Sequence, residues 1–75
     1  MVYPNPTSDE LYIEHGDQLK DLRIEMVNAV GKKVISQKVN QQEAIDLRPL
    51  PGGIYFYRLL EKDELVQSGK VVIER

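Results

Sequence analysis

Hydrophobic and polar residues alternate with a period of two along most of this chain, which is the pattern of half-buried β-strands. Apolar residues occupy every second position from 22 to 26, and the pairs Leu11/Ile13 and Ile45/Leu47 repeat the same spacing. Proline, glycine, asparagine or clustered charges separate these stretches at nearly even intervals. A count of about seven short strands with this spacing predicts an all-β sandwich or barrel of antiparallel strands.

The densest β-forming stretch directly follows a Leu-Pro-Gly-Gly segment and contains three consecutive aromatic residues. Pro51 predicts a tight turn, in which Gly52 would supply the positive φ that a type II turn requires. The spacing from Leu50 to Tyr55 matches the tyrosine corner of immunoglobulin-like sandwiches, where the tyrosine hydroxyl bonds back to the upstream backbone. We therefore predict a small immunoglobulin-like β-sandwich in which Tyr55 is the main structural residue. Pro51, Gly52 and Gly53 form the turn into its central strand.

Residues 17–39 fit two secondary structures. A helix over 18–30 is one, with Asp17 as N-cap and apolar residues at helical spacing, namely Leu19, Leu22, Met26 and Val30. The other is a hairpin with strands at 22–26 and 33–39, whose turn at 28–31 places Gly31 in the left-handed conformation. The residue pattern alone does not decide between them.

The remaining strands are predicted at 1–3, 10–14, 44–47 and 65–73, with a charged hairpin tip at 61–64. The first should be an edge strand that ends at Pro4, because prolines cannot donate hydrogen bonds to a sheet. Ser68 and Gly69 are expected to weaken the pairing of the last strand. The residues expected in the core are Leu11, Ile13, Leu22, Ile24, Met26, Val34, Ile45, Leu47, Tyr55, Tyr57 and Leu59.

Composition argues against several functions. The net charge of −2 gives no electrostatic basis for binding nucleic acid, and the absence of cysteine excludes disulfides and cysteine-ligated zinc. The longest apolar run, residues 54–57, is too short for direct membrane insertion. His15 is expected to be a solvated loop residue, and the carboxylates show no paired-acid or calcium-loop spacing. We predict no catalytic, metal or cofactor site, so the chain is not expected to be an enzyme.

Four segments, in this order, resemble the type A C-terminal sorting domain of the type IX secretion system, also called the Por secretion system. They are residues 2–7, 24–34, 45–55 and 69–73, and the motif residues within them are Pro4, Asn5, Pro6, Gly31, Gly53, Tyr55, Lys70, Val71, Val72 and Ile73. The resemblance favours the hairpin over the helix. It also implies that residues 1–75 are a single sorting domain, a fragment from the end of a larger secreted protein.

Members of that family carry no activity and direct an upstream cargo in the same chain from the periplasm to an outer-membrane translocon. A surface sortase then usually removes the domain and attaches the cargo to an anionic lipopolysaccharide. The resemblance therefore implies the translocon and sortase as partners, and a final location at the cell surface or outside the cell. The strand at 65–73 is the expected docking element, because it is terminal and the break expected at Ser68 and Gly69 weakens its own pairing. The residues expected to be recognised are Pro4, Asn5, Pro6, Gly69, Lys70, Val71, Val72 and Ile73.

Two other functions fit the same pattern. An immunoglobulin- or fibronectin-like accessory module could bind polysaccharide through the aromatic residues at 55–57, although strand alternation directs Tyr55 and Tyr57 together toward the core. A free-standing cytosolic domain could instead form a dimer. Position in the full-length gene would separate these functions, because a sorting domain ends the open reading frame.

Overall fold

A computed structural model of the protein describes residues 2–4, 6–14, 21–39 and 44–75. Within these ranges the regular secondary structure consists of β-strands, joined by turns and irregular segments. The strands are β1 (Val2–Tyr3), β2 (Glu10–Ile13), β3 (Leu22–Val27), β4 (Lys33–Lys38), β5 (Ile45–Asp46), β6 (Gly53–Glu61) and β7 (Glu64–Ile73). The hairpin alternative is confirmed and the helix is wrong, since β3 and β4 pair over most of their length. The predictions for Asn5, for His15, for the start of the helix with Asp17 and Leu19, and for the loop at 40–43 lie outside the described residues.

The strands form two sheets whose apolar faces share one core. One sheet has the order β1-β2-β5 and the other the order β4-β3-β6-β7, and every pairing between neighbouring strands is antiparallel. β1 is an edge strand and β6 lies between β3 and β7, as predicted from their sequences. The all-β sandwich of seven strands is therefore confirmed.

The core follows the alternation of the strands. The buried hydrophobic residues are Leu11, Ile13, Leu22, Ile24, Met26, Val39, Ile45, Leu47, Tyr55, Tyr57, Leu59, Val71 and Ile73. Of the predicted core residues only Val34 is wrong, because a register shift opposite Met26 and Val27 leaves it outside the pairing and only partly buried. The sequence prediction omitted Val39, Val71 and Ile73 from the core.

Two tight turns join the strands of the four-stranded sheet. In the β3–β4 turn, Asn28 Oδ1 accepts hydrogen bonds from the amides of Val30 (3.1 Å) and Lys32 (2.9 Å). Gly31 has φ +88°, which confirms its predicted left-handed conformation. In the β6–β7 turn, Lys62 and Asp63 both have positive φ between the paired residues Glu61 and Glu64, as in a two-residue hairpin loop.

The type II turn predicted at Pro51 is wrong. The hydrogen-bonded turn lies earlier, where the amide of Leu50 donates to the carbonyl of Leu47 at 3.0 Å. Positive φ occurs at Gly53 (+153°) and not at Gly52. Gly52 meets a different requirement, because a Cβ added there would lie 3.2 Å from the side chain of Arg75.

The tyrosine corner is confirmed. The hydroxyl of Tyr55 donates a 2.6 Å hydrogen bond to the carbonyl oxygen of Pro51, four residues upstream, and the side chain is 5% exposed. This bond ties the segment before β6 to the buried ring of β6 itself. Tyr55 therefore fixes the direction in which the chain enters the central strand of the larger sheet.

Candidate recognition site

Segments far apart in the sequence meet at one end of the sandwich, which we call the motif end: Thr7, the turn at 28–31, the segment at 50–53 and the chain end at 73–75. Gly53 pairs with Ile73 in the sheet, and Thr7 forms a parallel bridge with Ile73. The turn and the segment at 50–53 line one open groove together with Ile54 and Tyr55. The fold thus joins most of the segments that the sequence analysis singled out.

The N-terminal proline segment is attached to the C-terminal strand through Thr7. The amide of Thr7 donates to the carbonyl of Val72 (2.9 Å), and the amide of Glu74 donates to the carbonyl of Thr7 (2.8 Å). Thr7 is buried, whereas Pro4 and Pro6 are exposed beside it. Residues near both ends of the chain therefore present a single surface.

The predicted recognition residues of β7 divide into two groups. Val71 and Ile73 are buried in the core, with exposures of 0% and 2%. Lys70 is exposed and Val72 is half-buried on the outer face of the sheet. A partner that binds the folded domain can therefore contact Lys70 and Val72, but not the side chains of Val71 and Ile73.

The expected weakening of β7 at Ser68 and Gly69 is wrong. The strand runs through both residues, which pair with Arg58 and Tyr57. The register shift lies elsewhere in β7, because Leu59 pairs with Gln67 and Leu60 with Leu65. Gly69 provides room for the ring of Tyr57, which would lie 2.7 Å from an added Cβ.

Gly69→Ala should lower the free energy of unfolding by about 1–3 kcal/mol, as is usual when a methyl group is forced into a packed site. The Tyr57 ring cannot easily yield, since it is 6% exposed and its hydroxyl accepts a 2.8 Å hydrogen bond from Gln67 Nε2. Ser68→Ala is the matched control at the exposed neighbour and should change stability by less than about 0.5 kcal/mol. Urea unfolding of both variants measures the difference, and equal midpoints would show that the ring does not depend on this glycine.

Arg75 makes contacts that the sequence analysis did not anticipate. Its guanidinium donates hydrogen bonds to the carbonyls of Leu47 (2.6 Å) and Leu50 (2.9 Å) and forms an ion pair with Asp9 (3.0 Å). With its partners, Arg75 joins three separate parts of the chain: residue 9, the turn at 47–50 and the C-terminal segment. No local sequence signal could have revealed this arrangement, because it depends on how the two sheets meet.

The outer face of the four-stranded sheet combines an apolar centre with basic residues, and we call it the cationic face. Its apolar centre consists of Val27, Ile54, Phe56 and Val72, and Leu60 and Leu65 lie beside Arg23 at the other end of the face. Its charged residues are Arg23, Glu25, Lys33, Lys38, Arg58 and Lys70. Ile54 and Phe56 are each 48% exposed. The face is continuous with the motif end through Ile54.

Glu25 lies between two cations on this face. Arg58 donates to its carboxylate at 2.6 Å and Lys33 at 3.2 Å. These hydrogen bonds, first that of Arg58 and then that of Lys33, hold the pKa of the Glu25 carboxyl below its ordinary value. Glu25 therefore stays ionised and keeps the two basic side chains beside the apolar centre.

The described residues contain no cluster of three or more His, Asp or Glu side chains that could hold a metal ion. Within the same ranges, no segment forms an apolar helix of bilayer-spanning length. The described residues also present exposed prolines, an edge strand and a face of apolar and basic side chains, all of which are surface for binding.

Two antiparallel sheets around one core, together with a tyrosine corner on the central strand, place the chain in the class of immunoglobulin-like β-sandwich modules. It belongs to the secretion system C-terminal sorting domain family, whose model matches residues 1–74. Domains of this family are C-terminal sorting signals for type IX secretion, so the protein that carries this one is secreted to the cell surface or the extracellular space. Among curated proteins none gives a significant match to the chain.

Proposed function

We propose that the outer-membrane type IX translocon recognises this domain in its folded state and thereby exports a cargo joined to its N-terminal side. The observation that carries the proposal is the family match over residues 1–74. The meeting of the proline segment with the C-terminal strand supports recognition of the fold, because the two form one surface only after folding. We infer no catalytic role for the domain.

The accessible members of the expected recognition set are Pro4, Pro6, Lys70 and Val72. We propose that the translocon contacts these residues, while Gly69, Val71 and Ile73 hold the strand in place. Among the described strands β7 pairs with β6, and Thr7 bonds to its other edge at residues 72–74. The part of that edge nearer the β6–β7 turn is suited to pairing with a strand of the partner.

The position of the N-terminal strand supports this arrangement. Val2 pairs with Ile13, the end of β2 that lies away from Thr7 and the motif end. A cargo domain joined before Val2 would therefore enter beside the end of β2 that points away from the motif end. It would leave the motif end accessible to the secretion machinery.

Removal and attachment follow from the same proposal. The cargo crosses the periplasm with this domain at its C-terminal side, and residues 1–75 act as one sorting domain at the end of a larger secreted protein. A surface sortase then separates the domain from the cargo, which is attached at the cell surface or released. The alternative of a polysaccharide-binding module has less support, since Tyr55 and Tyr57 are buried and cannot stack on a sugar.

A fusion tests the proposal. The chain is placed behind an unrelated periplasmic reporter in a bacterium with the type IX apparatus, and the reporter is quantified in periplasm, cell surface and medium. We expect the reporter at the surface or in the medium, and we expect it to remain periplasmic in a strain without the translocon. A reporter carrying an unrelated immunoglobulin-like module is the control. Retention of the test fusion in the periplasm of the competent strain would contradict the proposal.

A further inference from the structure

We propose that the cationic face is a docking surface for an acidic protein partner that presents an apolar centre within a rim of Asp and Glu. The inference rests on the proposed sorting function, because it takes the partner to be a component of the secretion machinery. It goes beyond that function because the face extends from Lys70 and Val72, already proposed as translocon contacts, across β6 to β3 and β4, where its residues are not motif residues.

The apolar centre is contiguous across three strands. Val27 of β3 lies opposite Phe56 of β6, and the neighbouring residue pair on the outer face is Ile54 with Val72 of β7. Ile54 and Phe56 each keep 48% of their surface exposed, although they lie on the central strand of the sheet. Single exposed hydrophobic residues need no explanation, but a contiguous group with a polar rim is typical of an interaction site.

The charges of the domain are segregated, and this identifies the partner as acidic. The outer face of these strands carries five basic residues and one acidic residue, Glu25, while Glu61 and Glu64 lie where β6 and β7 meet their turn. Among the other residues that the structure describes, four are basic and nine are acidic. An acidic partner is therefore attracted to this face and repelled by the rest of the surface, which fixes its orientation during approach.

The shape and composition of the face favour a protein over a nucleic acid or a membrane. The domain measures 34 × 23 × 17 Å, so its broad face is comparable with the ~800 Å² that one partner buries in a standard protein interface. A nucleic acid would meet a chain of net charge −2. The same net charge opposes binding to an anionic membrane surface.

A pair of matched variants tests the charged rim. Lys33→Gln/Arg58→Gln removes two cations from the cationic face, and Arg48→Gln/Lys62→Gln removes the same residue types elsewhere. Each double substitution leaves one carboxylate without its ion-pair partners. In the first pair this is Glu25, which contacts Arg58 and Lys33, and in the control pair it is Asp46, which contacts Arg48 at 2.9 Å. Phe56→Ser removes the aromatic ring from the apolar centre without changing the charge. It serves as the second test if circular dichroism shows that the first variant is unfolded.

The binding probe is a synthetic copolymer of glutamate and tyrosine, compared with poly-glutamate, and binding is followed by the amide resonances of the isolated domain. We expect the copolymer to bind more tightly than poly-glutamate, to shift resonances of β3 and β6, and to lose affinity with added salt. Lys33→Gln/Arg58→Gln and Phe56→Ser should each weaken binding about fivefold or more, and the control pair should leave it unchanged. Equal binding by all variants, or none by the wild type, would overturn the inference.

Further measurements distinguish an acidic protein from other partners of the cationic face, and distinguish failure of this inference from failure of the sorting proposal. Binding to phosphatidylglycerol vesicles with the same dependence on the variants would replace the protein partner by a lipid surface, and concentration-dependent sedimentation would replace it by a second copy of this chain. Reporter export should fall at least about fivefold in Phe56→Ser and not in the control pair. If the wild-type fusion is exported and the Phe56→Ser fusion is exported equally well, this inference alone is overturned. If the wild-type fusion is not exported, the sorting proposal is contradicted.

Discussion

Tyr55→Ala should lower the free energy of unfolding by about 3–5 kcal/mol, the usual cost of removing a buried aromatic ring. The ring is 5% exposed, and its hydroxyl is bonded to the carbonyl of Pro51 at 2.6 Å. Because small domains have only about 5 kcal/mol to lose, the variant should keep little or no stability and its thermal midpoint should fall sharply. Thermal unfolding followed by circular dichroism measures the effect.

Two controls separate the contributions of the ring and the hydroxyl. Tyr55→Phe keeps the ring and loses only the hydrogen bond, so it should cost about 1 kcal/mol. Phe56→Ala removes a ring of similar size from the adjacent position, and it should cost less than Tyr55→Ala because Phe56 is 48% exposed. An unchanged thermal midpoint for Tyr55→Ala would mean that the tyrosine corner does not stabilise this domain.

Deletion of residues 70–75 should abolish export of a reporter fusion and should do so mainly by unfolding the domain. The deletion removes the buried side chains of Val71 and Ile73 and the backbone bonds between Thr7 and residues 72–74. Loss of a single large aliphatic side chain from a core typically costs about 2–5 kcal/mol, so the combined loss exceeds the stability of a domain of this size. The reporter should then accumulate in the periplasm, which cell fractionation measures.

Lys70→Glu distinguishes folding from recognition. Lys70 is exposed, so reversing its charge should change the free energy of unfolding by less than about 0.5 kcal/mol. Export lost in this variant would show that the translocon reads the lysine itself, whereas export retained would show that it reads the folded shape. Normal export of the truncated fusion would contradict the sorting hypothesis.

The two errors in the glycine predictions have a common physical cause. The immediate neighbours of Gly52 predict a turn residue, and those of Gly69 predict a break in a strand. In the structure each lies against a side chain distant in sequence, Gly52 against Arg75 and Gly69 against Tyr57. Glycine at such positions provides space, and the need for space depends on what packs there from another strand.

The residues of the candidate site could be predicted only in part. The family resemblance predicts their positions in the chain. It does not predict which of their side chains are accessible to a partner. Within β7, burial alternates between neighbours, so Lys70 and Val72 face outward while Val71 and Ile73 face the core. That direction depends on which face of the sheet meets the other sheet, and it requires the three-dimensional packing.

By itself, the sequence determined the strands, most of the core and the tyrosine corner, because alternation and turn chemistry are local properties of the chain. It left the choice between helix and hairpin open, because Leu22 and Met26 fit both periods. Only the tertiary structure decided what meets at the motif end, where Thr7 bridges Ile73 and Arg75 reaches the carbonyls of Leu47 and Leu50. These contacts join residues separated by more than 20 positions, and such pairs are set by how the sheets pack rather than by any local preference of the chain.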